Sequence, residues 1–324
     1  MVHGAELHQT GPTRVIPFDL SAHMAIPYAA TSPNLMASFV RICENESLTT
    51  QVRTSTLSHR VNELTCNACY KIQATATSQA FYVIRGSGRS VCGSEEINWG
   101  EGDLFVFPSV DDVEHFSSGN ARPLTPLLRR IYLYTSVLIV GDSALYWVSD
   151  EPLLNYLGVK PCVKKFKTTV FKRERMLAEV ERIKHQPGAE HRNRMGILLG
   201  NQITEDGTKT LTHTLWSLLN MLPAGDAQRP HRHNSVALDL CVTSPDADKV
   251  YTLMGPELDD EGWVKDPIRC PWVTGAVFVT PPGWWHSHHN ETGEPAWVLP
   301  MQDAGLYTHQ RTLDIRFSTG PGSK

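Results

Sequence analysis

Two stretches of this 324-residue chain share one local grammar. Gly102 is followed by "DLFVF" and Pro108, and Gly275 by "AVFVT" and Pro281. A glycine turn, five residues rich in β-branched and aromatic side chains, and a proline that cannot donate to a sheet are strand and turn chemistry. Its recurrence predicts a duplicated small β-barrel. The length agrees, because 324 residues exceed one ordinary core and divide naturally into two domains of roughly 100 to 150 residues. A hydrophobic content of 41% suffices to fill both.

The organisation predicted along the chain is mainly all-β. Residues 1–50 mix Pro, Ser and His with short apolar pieces such as "LMASFVRI" and read as an arm packed on something else. Residues 51–160 form a first β unit, carried by "SQAFYVIRGSGRSVCGSEEINWGEGDLFVFPS". Residues 161–200 are a helical connector, with Val170, Phe171, Met176, Leu177, Val180 and Ile183 at three- and four-residue steps until Pro187-Gly188 stops the pattern. Residues 201–324 form the second β unit, from "LTHTLWSLLNML" to "AWVLPM".

A net charge of -4 gives no electrostatic case for nucleic acid or an anionic membrane, so small molecules are the expected partners. No run approaches the ~18 apolar residues of a membrane span, and no charged segment precedes an apolar one near residue 1, so the expected compartment is the cytoplasm. Seven cysteines, an odd number, are spread along the chain, which is not a disulfide framework. Cys66 and Cys69 make a C-x-x-C with neither a second pair for zinc nor a βαβ context for redox work.

The chemistry concentrates in two places. In "RPHRHNSVALDL" (229–240), a single strand would put His231 and His233 on one face with Arg232 opposite, and Asp239, six residues on, on the histidine face. In "GAVFVTPPGWWHSHHN", His286 and His288 would share a face, with His289 on the other. Imidazole is the commonest transition-metal ligand, and three of them leave open positions on an octahedral ion. The plain alternative is a pair of histidines on a solvated loop, since His-x-His is a frequent accident.

The spacing around both pieces resembles the cupin family. Gly225, five residues, His231-x-His233 is similar to its first motif, and Gly275, five residues, Pro281-x-Gly283, two residues, His286, three residues, Asn290 to its second. The glutamate many cupins carry after the second histidine is missing, with Ala237 and Leu238 in its place. A three-histidine, two-cupin chain resembles the gentisate 1,2-dioxygenase group, which includes salicylate and hydroxynaphthoate dioxygenases, and "HRHNSVALDL", "WHSHHN" and "SDEPLLNYLG" look like pieces of it. The resemblance implies two jelly-roll cupin barrels joined by the helical connector, with Fe(II) or another divalent metal held by His231, His233 and His286. It also implies proton transfer by His288 and an acidic role for Asp303. Apart from the resemblance, the paired aromatics Trp284 and Trp285 read as pocket wall and core, and Gln302, His213 and His309 are candidates for the pocket mouth.

Two departures qualify the likeness. In "QATATSQAFYVIRGSG", Gln73 and Thr75 stand where the family's first barrel has its two histidines, and His115 falls two residues late for a third ligand, so the first barrel is expected to be metal-free. Asp239 occupies the place of the family's arginine for the substrate carboxylate. Either it marks a substrate that lacks that carboxylate or carries a hydroxyl or amine donor there, or it is an acceptor that fixes a ligand histidine or a neighbouring arginine. The expected function is Fe(II)-dependent cleavage of a hydroxylated aromatic ring (gentisate-, salicylate- or aminophenol-like) with O2. The alternatives are a cupin isomerase, lyase or hydrolase using its ion as a Lewis acid, and a non-catalytic binding or storage cupin. A homo-oligomer, dimer or tetramer, is expected from the arm and connector.

Overall fold

The computed structural model describes residues 2–51, 69–73, 75–108, 113–118, 141–189, 195–205 and 207–319. Their strands form four sheets, arranged as the duplicated, mainly β architecture that the repeated grammar predicts. One six-stranded sheet runs Thr169–Phe171, Leu104–Pro108, Ser78–Arg85, Ser143–Ser149, Met36–Ile42, Arg14–Pro17, and its five-stranded partner runs Cys69–Gln73, Ser47–Gln51, Val113–Ser117, Ser87–Cys92, Glu95–Gly100. The second barrel repeats this with Val2–His3, Val277–Thr280, Ala237–Thr243, Ala296–Gln302, Trp216–Leu222, Met195–Leu198, faced by Ile268–Pro271, Val250–Gly255, Trp285–Asn290, His231–His233, Ile315–Phe317.

The five-residue apolar runs follow from how the barrels meet. Along each six-stranded sheet, alternate side chains enter the barrel and the others leave it. Phe81, Val83, Phe105, Phe107, Leu145 and Trp147 fill the first barrel. Their neighbours Ala80, Tyr82, Leu104, Val106, Tyr146 and Val148 share one core with Leu219, Leu238, Leu240, Val277, Leu299 and Met301 of the second. The two large sheets are therefore packed back to back, and a strand buried on both faces reads as a continuous apolar run instead of an alternating one. Between the sheets, the Tyr146 hydroxyl donates to the Leu238 carbonyl across 3.1 Å. For the site, the consequence is that Ala237, Asp239 and Cys241 point inward wherever Leu238 and Leu240 point to the first barrel.

Three segment readings are corrected. Residues expected in the arm include three strands of the first barrel, Arg14–Pro17, Met36–Ile42 and Ser47–Gln51, and "LMASFVRI" is itself buried on both faces. Only the stretch before them behaves as an arm: Val2–His3 pairs with Val277–Phe278 of the second barrel, and the Arg41 guanidinium pins the carbonyls of His8, Gln9 and Gly11. Within the connector, Val170 and Phe171 belong to a strand beside Leu104–Pro108, and the helix spans Arg173–Lys184, burying Met176 and Val180. Finally, residues 231–240 are not one strand but two, His231–His233 in the small sheet and Ala237–Thr243 in the large one. Cys66 lies outside the described residues; Cys43, Cys162, Cys241 and Cys270 are free thiols. No helix among the described residues is long and apolar enough to cross a membrane.

Candidate metal centre

His231 pairs directly with His286 across two antiparallel strands of the small sheet. With His233 two residues along, all three imidazoles project into the barrel, each at most 4% exposed. Their ring centroids are 3.8 Å apart for His231 and His286, and 5.0 Å for His233 and His286. One ring nitrogen of each lies within 4.8 Å of the others. Among the described residues this is the one cluster of three or more His, Cys, Asp or Glu side chains that could hold a metal ion.

The surrounding backbone sets the tautomers. His233 Nδ1 donates to the Ser235 carbonyl at 2.8 Å and His286 Nδ1 to the Trp284 carbonyl at 3.1 Å. A ring whose Nδ1 carries the proton offers the Nε2 lone pair, which is the state a ligand needs. The Ser235 hydroxyl lies 3.1 Å from His233 Nδ1 and donates to Gln302 Oε1 at 2.8 Å, so Gln302 on the opposite sheet braces this corner. The donor set fits a divalent transition metal: three buried imidazoles on paired strands, two of them oriented by backbone carbonyls.

Facing the imidazoles across a small cavity, with free space of about 10 Å³, are Leu218, Asn220, Ala237, Asp239, Val298, Pro300 and Gln302. Free space of that size is about that of one water molecule. Asp239 is 4% exposed and its carboxylate accepts from the Thr280 hydroxyl at 2.6 Å. The inward direction expected for it is observed, but from the opposite wall: the chain turns a corner at residues 234–236 and crosses to the large sheet, so Asp239 faces the histidines instead of standing beside them.

His288 lines the same cavity, and its ring is 5.7 Å from that of His286. Its Nδ1 is 2.8 Å from the Thr252 hydroxyl, whose oxygen also accepts from the Trp272 indole at 2.8 Å. With the indole donating to this oxygen, the Thr252 proton can be given to Nδ1, the arrangement in which His288 presents Nε2–H to the cavity. Neither Thr252 nor Trp272 stands out in the sequence reading, although Trp272 and Trp99 both lie three residues before the repeated glycine.

The first barrel contains the same relay. Trp99 Nε1 donates to Ser90 Oγ, and Ser90 Oγ meets His115 Nδ1, both at 2.8 Å. His115 is thus the counterpart of His288, which explains its offset of two residues from a third-ligand position; Val113 stands where His286 does, opposite Thr50 of Ser47–Gln51. That strand, and not the segment around Gln73 and Thr75, holds the place of His231–His233 in the pairing. His115 is fully buried against Phe81 and Phe105, its Nε2 has no hydrogen-bond partner, and burial holds its pKa down at about 3.

Other candidates fall outside the cavity. Trp285 sits on the outer face of its strand beneath the Arg232 guanidinium, 4.9 Å from the ring centre, because the pleat that turns His286 inward turns its neighbour out. Trp284 packs on the apolar side of the second core. His213 bonds Thr77 between the barrels, and His309 is exposed on the helix Ala304–Gln310.

Asp303 clamps the corner: its carboxylate accepts from the Val236 N–H at 3.0 Å and from Asn34 Nδ2 at 2.8 Å, facing away from the imidazoles. Burial raises its pKa from 3.8 to about 6 against these donors. Between those values the native state keeps a proton the unfolded chain has released, so stability should fall as pH rises through this window, by at most about 3 kcal/mol. Asp303→Asn should flatten that slope in urea denaturation between pH 4 and 7. An unaltered slope would assign it to another group.

No family model matches the chain, and no curated protein matches it in sequence. Solved structures do. Salicylate 1,2-dioxygenase from Pseudaminobacter salicylatoxidans superposes with a TM-score of 0.62 at 13% identity, over 94% of this chain and 80% of that one. Its adducts with gentisate superpose with a TM-score of 0.63 at 13% identity, over 100% of this chain and 85% of that one. The chain is a bicupin by fold. At such identity the likeness establishes the bicupin architecture alone, and the activity has to be argued from the cavity.

Proposed function

We propose that this bicupin is a metal-dependent dioxygenase that opens a hydroxylated aromatic ring, with Fe(II) held by His231, His233 and His286. The observation that carries the reading is the buried three-imidazole cluster, with the Nδ1 atoms of His233 and His286 bonded to backbone carbonyls so that their Nε2 atoms are left for an ion. A bound ion would supply a common site for vicinal substrate oxygens (or an oxygen and a nitrogen) and for dioxygen, together with the redox capacity that side chains lack. In the overall reaction one ring carbon–carbon bond breaks and both atoms of O2 enter the product.

The chain's own residues do the rest. Ser235 and the Trp284 carbonyl hold the ligand rings in register. Leu218, Ala237 and Val298 give the cavity an apolar lining that excludes water. His288 Nε2–H is placed to donate to oxygen on the substrate as charge develops there, and to take the proton back on release. Support also comes from the fold shared with a salicylate dioxygenase.

Anaerobic loading with Fe(II), followed by oxygen-electrode and ultraviolet readings over a panel of hydroxylated aromatics, tests the proposal. Iron-dependent oxygen uptake with loss of the aromatic band is expected. Metal-dependent turnover without uptake would replace the reading with Lewis-acid chemistry.

A further inference from the structure

The wall opposite the three imidazoles is rich in acceptors and has no cation. Asp239, on the inward face of Ala237–Thr243, brings a carboxylate 4% exposed. Asn220, 2% exposed on Trp216–Leu222, brings an amide oxygen with no hydrogen-bond partner. No lysine or arginine lines the cavity. A buried acceptor without a donor is costly, of the order of 1–3 kcal/mol, unless a bound molecule or ordered water satisfies it.

Charge counting points the same way. A divalent ion, neutral imidazoles and one carboxylate leave a single positive charge in a small, poorly solvated space. A chelating phenol that has lost one proton neutralises it. An aromatic carboxylate chelating through its phenolate and carboxylate brings two negative charges and leaves an uncompensated one facing Asp239, which a buried site disfavours strongly.

We propose that Asp239 and Asn220 make the cavity selective for phenols bearing amine or hydroxyl donors, such as 2-aminophenol or catechol, and against aromatic carboxylates. This rests on the ring-binding reading of the three-histidine site and narrows it to a substrate class. The amine or hydroxyl that would chelate the ion keeps an N–H or O–H to give to the Asp239 carboxylate or the Asn220 oxygen, whereas a chelating carboxylate has no proton to give.

The test is binding, not turnover. The full chain is loaded with Co(II) under nitrogen, and the visible spectrum of the imidazole-bound ion is followed during titration with 2-aminophenol, catechol and salicylate. The wild-type protein should bind both donor ligands at least about tenfold more tightly than salicylate. Asp239→Asn should shrink that ratio by about tenfold, and Asn220→Leu should weaken the donor ligands while sparing salicylate. Salicylate binding as tightly as 2-aminophenol in wild type, or a ratio unmoved by Asp239→Asn, would overturn the inference and leave the metal site standing. Absence of an imidazole-bound Co(II) spectrum would overturn the metal reading and this inference with it. The wild-type ratio needs no variant to fold.

Discussion

Replacing His233 with alanine is expected to lower the metal content after dialysis from one ion per chain to nearly none and to reduce turnover by at least about 10³-fold. With one of three imidazoles gone, two ligands must hold the ion against water, and the cavity gains a void where the third ring stood. The neighbouring corner separates ligation from support: Ser235→Ala keeps all three ligands and removes only the hydroxyl between His233 and Gln302, so its cost should be nearer 10–100-fold in metal affinity. His115→Ala, which cuts the relay of the other barrel, should leave metal content unchanged. Metal analysis beside the oxygen electrode checks all three. A His233→Ala chain that retains a full equivalent of ion would remove the basis of the proposed function.

The second large effect is expected at His288. Substitution by glutamine should leave the ion in place and lower kcat by roughly 10²–10⁴-fold, the range over which a positioned proton donor contributes. Thr252→Val removes the hydroxyl that holds His288 Nδ1, so it should cost less and displace the pH dependence of kcat instead of abolishing activity. The signature is the contrast: metal content constant, kcat reduced, and one limb of the pH profile lost only when the imidazole is gone. Wild-type kcat in His288→Gln would reassign the ring to packing, the role its counterpart His115 has in the first barrel.

Much of this architecture is legible in the residues. The repeated Gly, five, Pro grammar announces two barrels, and the spacing around Gly225 and Gly275 points to His231, His233 and His286 before any coordinate is known. What escapes is three-dimensional closure. Nothing local in "HRHNSVALDL" marks the corner at 234–236, because the Asp303 carboxylate that holds it comes from 67 residues away. Asp239 faces inward whichever way the segment is read, since parity survives both, but only the change of sheet moves it to the far wall. The helix reading of Val170 and Phe171 failed because a three-residue strand against Leu104–Pro108 carries too short a pattern to override the helical one that follows. Trp285 misled for a simpler reason: an aromatic beside a ligand shares its sequence neighbourhood and not its face.

The earliest stretch of the chain bonds to one of the latest. Val2–His3 extends a sheet completed by Val277–Thr280, and His8 Nε2 reaches the Gly275 carbonyl 267 residues away. During synthesis Val2–His3 waits for its strand partner until residues 277–278 have emerged. Until then the second barrel's large sheet ends in unpaired N–H and C=O groups, an edge that invites pairing between nascent chains. The barrel that bears the imidazoles therefore becomes a closed, non-sticky object only when both halves of the same molecule are present. A piece cut before residue 277 leaves Val2–His3 without its strand partner, and residues 2–8 are a poor place to attach a bulky fusion.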